Sequence, residues 1–388
     1  MSTLRTPATL ILLTTAFGGA FACATSDEPP GTEEPEPIAL PSLDAGETAV
    51  DAAAEADAQG CDGECGYFPE TCDVDVLCST GPFEASMGKP FDPRTRINVI
   101  RGRSADDVWV AGALGALAHF DGKTWTRFEL GTPETLRALW IGDFGEIAIG
   151  KFDKLYQREG HDWPGLVGGS GIWQVARLES CWSMPEWSSA WCATVANEYG
   201  KTTGLWRLDF VSPDISERAG IVNDDCRLAG CTQMLAIHGL SADELWAVGM
   251  TGAVVRIHDA SSDVPTVEAY NSQTWNALRG VWETSDAEAW AVGVGGTIRH
   301  YTGTRSWEIV KDLPTTKDLN AVWASSPSDV WVVGNDGVVL HYDGAAWTRV
   351  KIAGLGMRRP NLTTIWGASA AHFWIGGDGV FLSLGGKP

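Results

Sequence analysis

A motif of roughly 44 residues recurs seven times between residues 95 and 384, and six of the seven copies carry tryptophan at the same central point. Segments beginning LRGVWETSDAEAW at Leu278, LNAVWASSPSDVW at Leu319 and LTTIWGASAAHFW at Leu362 align directly. Earlier copies begin at Ile97 and Leu235, and degenerate ones at Leu136 and around Trp191. The central position reads Trp109, Ile147, Trp191, Trp246, Trp290, Trp331 and Trp374, in steps of 38, 44, 55, 44, 41 and 43 residues. Short runs of alternating apolar and polar residues, broken by Gly and Ser/Asp turns, are the pattern of strands. In the sixth copy they predict strands A to D over residues 319–323, 330–333, 338–342 and 347–350. Four antiparallel strands repeated at this length form the unit of a propeller, so the fold class expected is all-β, a seven-bladed β-propeller over residues 95–388.

The seventh copy stops after its third strand, at residues 381–384, and needs a fourth from elsewhere. Residues 83–87 are expected to supply it and close the ring, with residues 74–78 as the alternative. Ser104, Ser241, Ser285, Ser326 and Ser369 stand five residues before the central position, and Asp107, Glu244, Glu288 and Asp329 two before. Both sets are expected to bond backbone N–H groups of the A-to-B turn. Gly112, Gly150, Gly249, Gly293, Gly334 and Gly377 follow three residues after it, where a tight hairpin would need positive φ. His119, His300 and His341 recur ten after it and should radiate from the axis, sharing no metal.

Ahead of the repeats, residues 1–22 combine Arg5, an apolar run and small residues ending at Ala22, the make-up of a signal peptide. Cys23 follows at once and resembles the lipidated cysteine of bacterial lipoproteins; Ala20-Phe21-Ala22 also fits an ordinary cleavage site that would release a soluble protein. The formal net charge is −22, and residues 24–88 carry sixteen Asp and Glu with no Lys or Arg. Residues 23–60 therefore read as the anchor site and a disordered, self-repelling acidic tether. With no basic stripe, nucleic-acid binding is not expected.

Eight further cysteines, Cys61, Cys65, Cys72, Cys78, Cys181, Cys192, Cys226 and Cys231, are expected to be disulfide-bonded in an oxidising compartment. Residues 61–94 form a small disulfide-rich segment whose pairing the spacing leaves open. Cys181 and Cys192 flank Trp182 and Trp191 symmetrically across a hairpin and should face one another; Cys226 and Cys231 should pin the longest insertion.

The sixth copy reads V-W-x-S-S-x-x-D-V-W-x-V-G-x-x-G-x-x-x-H-Y-D-G-x-x-W and resembles the BNR-type, Asp-box-like repeats of exported bacterial propeller proteins, including the photosystem assembly factor family. The resemblance implies the fold over about residues 95–384 and leaves function to be read from a site. Sialidase Asp-boxes space their Asp and Trp one residue further apart than Asp121 and Trp125 or Asp343 and Trp347, and no paired catalytic groups can be singled out. No P-loop, H-E-x-x-H or EF-hand loop occurs. No catalytic residues, metal or cofactor are expected.

Strand A is innermost in a propeller, and its terminal residue reads Arg101, Trp140, Trp182, His238, Trp282, Trp323 and Trp366 around the ring. Two polar donors among indoles suit a ligand-binding level at one end of the channel. The expectation is a cell-envelope lipoprotein of the outer membrane or cell surface, touching the membrane through its anchor only, whose propeller binds or assembles an unidentified protein or glycan. The alternatives are a secreted glycan- or polymer-acting enzyme and a passive structural envelope component.

Overall fold

A computed structural model describes residues 64–84, 90–151, 154–166, 176–196, 202–211 and 214–387. The signal peptide, Cys23, the acidic tether, Cys61 and the side chain of Cys65 lie outside the described residues. Among those described, the strands form seven four-stranded antiparallel sheets arranged as a β-propeller. In blade six, Leu319–Ser326, Asp329–Gly334, Val339–Tyr342 and Trp347–Arg349 pair in chain order, within a few residues of the sequence expectation. The central tryptophans form the core: Trp109, Trp191, Trp246 and Trp374 are at most 1% exposed.

Strand A carries the feature that shapes the channel. Its register against strand B slips by one residue near its start in six blades, at Asn98, Glu179, Leu235, Arg279, Asn320 and Thr363. A bulge re-aims the extra residue, and here these residues turn into the channel. From there they reach the next blade. Asn98 Nδ2 donates to the Leu136 carbonyl at 2.9 Å and Asn320 Nδ2 to the Leu362 carbonyl at 2.8 Å, while the Thr363 hydroxyl donates to the Ile97 carbonyl, joining the last blade to the first.

The closing strand corrects the first expectation. Leu77–Ser79, which overlaps the end of the alternative segment 74–78, pairs with Val380–Leu384, with Leu77 opposite Leu384. Phe83 instead ends a short 3-10 turn, and residues 85–89 lie outside the description. Burial decides the choice. Leu77 is fully buried in one cluster with Phe68, Ile352, Leu355 and Leu382, and its N–H and C=O bond the Lys351 carbonyl and the Ala353 N–H. Arg349 pairs with Glu64 at 2.8 Å and lies over the Tyr67 ring, so residues 64–79 clasp blade six as well as completing blade seven.

Two turn expectations are also corrected. Gly112, Gly249, Gly293 and Gly334 have extended φ between −154° and −169°, not positive. They are glycine because a Cβ would meet the carbonyl oxygen that precedes strand A, at 2.0 Å from Arg96 O in blade one and 2.1 Å from Gln233 O in blade four. The left-handed positions come later, for instance at Leu114 and Thr251. The serines behave as expected: Ser104, Ser241 and Ser326 accept N–H bonds from the turn. The acids do not. Trp331 and His341 are directly opposite on strands B and C, so their rings stack at 4.2 Å, and Asp329 Oδ1 accepts from Trp331 Nε1 at 2.9 Å and sits 2.7 Å from His341 Nε2. Asp107, Trp109 and His119 repeat this arrangement, and Glu288 holds His300 against Trp290. Each histidine is thus engaged within its own blade.

Disulfides join Cys72 to Cys78, Cys181 to Cys192 and Cys226 to Cys231. The last closes the turn after a short helix, Asn223–Ala229, in the long insertion. Peptide mapping without reduction should recover these three pairs, and a crossed pairing would refute the arrangement. Leu77→Ala should cost about 2–5 kcal/mol in urea unfolding, the range for a fully buried leucine; a change below 0.5 kcal/mol would show that this strand does not close the ring.

Candidate functional site

The central channel has two unlike mouths. Where strands A begin, the bulged residues and their neighbours make a polar mouth of about 410 Å³, lined by Arg96, Asn98, Arg137, Glu179, Arg279, Asn320, Asn335, Asn361 and Thr363. Sequence reasoning missed this ring because its residue type changes from blade to blade. The available signal is positional: each bulged residue directly follows the first large buried aliphatic residue of strand A, namely Ile97, Leu178, Met234, Leu278, Leu319 or Leu362. The mouth is internally compensated. Arg96 pairs with Asp378 at 3.0 Å, Arg137 faces Glu179 at 3.9 Å, and Arg279 pairs with Asp318 at 3.0 Å.

At the opposite end lies the level expected from sequence. Arg101, Trp140, Trp182, His238, Trp282 and Trp366 line one cavity of about 180 Å³, together with Leu139, Ile141, Met184 and Pro185. Trp323, the seventh expected member, does not line it. That indole is 2% exposed and packs on Phe373 and over Gly367, where a Cβ would stand 2.6 Å from the ring. Trp366 likewise covers Gly102 of blade one. Four successive members touch in sequence around the ring: Trp182 meets His238 at 5.5 Å, His238 stacks on Trp282 at 3.9 Å, and Trp282 meets Trp323 at 6.4 Å. The tryptophans therefore pack between blades and also wall the cavity, because a large planar ring can do both.

Blade three builds one side of this mouth. Its A-to-B loop, residues 183–188, is longer than the two-residue turn after Ser104, and the disulfide between Cys181 and Cys192 sits at its base. Met184 and Pro185 from this loop face the channel cavity. Trp187 packs edge-on to Trp182 at 5.0 Å and lines a second depression of about 300 Å³ with Arg207 and Ser261.

The two polar members differ in state. His238 is 5% exposed, and its Nδ1 accepts the Glu283 N–H at 3.1 Å, so the neutral ring carries its proton on Nε2. Burial, helped by the charge of Arg101, brings its pKa down to about 3. Burial also lowers Arg101, to about 10. Its Nη1 donates to the Ile100 carbonyl at 2.9 Å, and the residue keeps part of its surface open to the channel.

Glu283 stands behind His238, is 1% exposed, and has no sequence counterpart among the residues following the other ring positions. Its Oε2 accepts the Leu240 N–H at 3.1 Å, while Oε1 lies 4.0 Å from Arg256 without a hydrogen bond. Burial pushes its pKa up to about 7, against the opposing Leu240 hydrogen bond and Arg256 charge.

No family model matches the chain, and no curated protein does. Solved structures do resemble it. YCF48 bound to a D1 peptide is 15% identical, with a TM-score of 0.60 over 81% of this chain and 98% of that one. Virginiamycin B lyase from Staphylococcus aureus is also 15% identical, with a TM-score of 0.57 over 75% and 94%. The extracellular domain of a hybrid two-component system from B. thetaiotaomicron is 10% identical, with a TM-score of 0.59 over 80% of this chain and 41% of that one. At these identities the likeness is one of fold. The disulfides are consistent with an exported protein.

Titration of the two buried groups should be visible in stability. His238 has a folded pKa below its unfolded value of about 6.5, so its contribution is fully present above that pH and is lost as pH falls toward 3. Glu283 has a raised folded pKa, so its contribution is present below about 4.5 and is lost as pH rises through 7. Glu283→Gln should therefore gain on the wild type by about 2–3 kcal/mol between pH 5 and pH 9 in denaturant titrations. A difference independent of pH would show that Glu283 ionises normally.

Proposed function

We propose that this chain is an exported, lipid-anchored binding or assembly module that captures a protein or glycan at the aromatic mouth of its propeller. The observation that carries the reading is the cavity itself: indoles and aliphatic side chains form its walls, and Arg101 and His238 are polar donors at its floor. Apolar walls with a few placed polar groups are the usual make-up of a ligand site. The opposite mouth supports the assignment by contrast, since its charges are paired and its amides hold neighbouring blades together.

YCF48 bound to a peptide is an example of a propeller of similar fold holding a protein ligand. An enzyme acting on glycan or polymer would need a pair of catalytic groups at the reacting bond; among the described residues the cavity lining offers Arg101 and His238 as its polar donors. In the proposed arrangement Cys23 is the lipidated N-terminus and the acidic segment after it holds the propeller away from the membrane, on the outer membrane or cell surface.

Two measurements test this. Purified full-length protein screened against peptide and glycan arrays should yield a ligand whose affinity falls at least tenfold in Trp282→Ala, with the near-ultraviolet circular dichroism of the remaining tryptophans retained. Undiminished binding would move the site elsewhere. Mass spectrometry of membrane-extracted protein should find Cys23 as an acylated N-terminus, whereas a soluble, unmodified product would remove the anchor.

A further inference from the structure

The aromatic cavity contains hydrogen-bond donors without acceptors to match them. Arg101 makes one bond, to its neighbour's carbonyl, and no carboxylate among the described residues pairs with it. The other channel arginines differ. Arg96, Arg137 and Arg279 each face a carboxylate, and the buried Arg299 is held by the carbonyls of Ser272, Gln273 and Ile298. Arg101 is thus a cation in a largely apolar cup with nothing to neutralise it, a condition that costs free energy until an anion arrives.

His238 adds a second donor. Because Glu283 N–H occupies Nδ1, the Nε2 proton is fixed in place, and no acceptor for it occurs among the described residues. Both residues line the aromatic cavity and the adjoining one of about 150 Å³ below it, so they sit together at the floor of the mouth. Two carboxylates stand near this floor and both are engaged elsewhere: Glu179, which lines the lower cavity, pairs with Arg177 at 2.5 Å and faces Arg137 at 3.9 Å, and Glu283 is turned toward Leu240 and Arg256 and lines neither cavity.

We infer that this floor binds the C-terminal carboxylate of a peptide whose last residue is apolar or aromatic, an inference that rests on the reading of the aromatic mouth as the ligand site. A guanidinium fork and an imidazole N–H complement the two oxygens of one carboxylate. The cavity of about 180 Å³ accommodates an end group rather than a whole folded segment. Its walls are Leu139, Trp140, Trp182, Met184, Trp282 and Trp366, surfaces for one apolar side chain.

The same lining disfavours an acidic sugar. A uronate presents several ring hydroxyls besides its carboxylate, and each would need a partner when buried. The hydroxyl of Ser183, the one side-chain hydroxyl in the lining, already donates to the Ser189 carbonyl at 2.7 Å. A terminal peptide residue carries its remaining polar groups back toward the open mouth.

The test uses the full-length protein, intrinsic tryptophan fluorescence and titration calorimetry. The probes are N-acetyl-Gly-Gly-Phe as free acid, the same peptide as C-terminal amide, and glucuronic acid. The acid should bind at least tenfold more tightly than the amide, and free N-acetylphenylalanine should displace it. Arg101→Gln should erase the acid–amide difference by weakening the acid alone. Since no carboxylate among the described residues pairs with Arg101, this change strands none of them, and circular dichroism with the Arg101→Lys variant, expected to retain part of the preference, checks the fold. Equal binding of acid and amide would overturn the inference. If that shared binding disappears in Trp282→Ala, the mouth remains a ligand site; if it persists, the proposed function falls as well. Failure of both peptides to bind at millimolar concentration, or glucuronate binding in preference to the acid peptide, would also overturn it.

Discussion

The inner strand of each blade has no strand beside it on the channel side, so its edge must be secured by other means. The bulge near the start of strand A meets this need. In six of the seven blades it diverts one side chain into the channel, and where that side chain is Asn98, Asn320 or Thr363 it donates to a carbonyl of the following blade. Where it is Arg279, the guanidinium bonds Asn320 of the next blade at 2.9 Å and Asp318 at 3.0 Å. This linkage occupies the polar mouth with structural work. The other mouth, packed mainly by indoles, keeps its two donors uncommitted.

The blades were legible because six of the seven sheets bury a tryptophan at the same point, with the fully buried Ile147 in its place in the second, so the period survives sequence drift. The pair Cys181 and Cys192 was legible because antiparallel register puts equal offsets from Trp182 and Trp191 opposite one another. The aromatic level was legible as a set of equivalent positions, yet its division was not: only packing shows that Trp323 is consumed by Gly367 and Phe373 while Trp282 and Trp366 retain a face on the cavity.

Other features left weaker traces. The closing strand leaves no repeat motif of its own, and Leu77–Ser79 is chosen over residues 83–87 by what Leu77 buries. The glycines after strand B were read as turn formers, whereas the constraint is the approach of a carbonyl from the chain entering strand A. Glu283 had a usable signal. The residue after the ring position is Gly102, Gly239 or Gly367 in three blades and Ser183 or Ala324 in two more, so a glutamate in that small, buried place was a local conflict that marked a special environment.

Pairing Leu77 with Leu384 also sets an order in time. Blades one to six are built from consecutive strands and can form by local hairpin closure as the chain emerges. The outermost strand of blade seven is made first and used last, after nearly the whole propeller sequence has followed it. The entropy of that final closure grows only logarithmically with the intervening length, but the contact is long-range, and long-range pairings form slowly. Until then the chain is an open spiral with an unpaired edge at Val380–Leu384, a surface on which other strands can add. A product interrupted before residue 380 would lack the strand that Leu77–Ser79 pairs with and would keep an open end further back, so quality control acting on exposed strand edges would separate finished rings from unfinished ones.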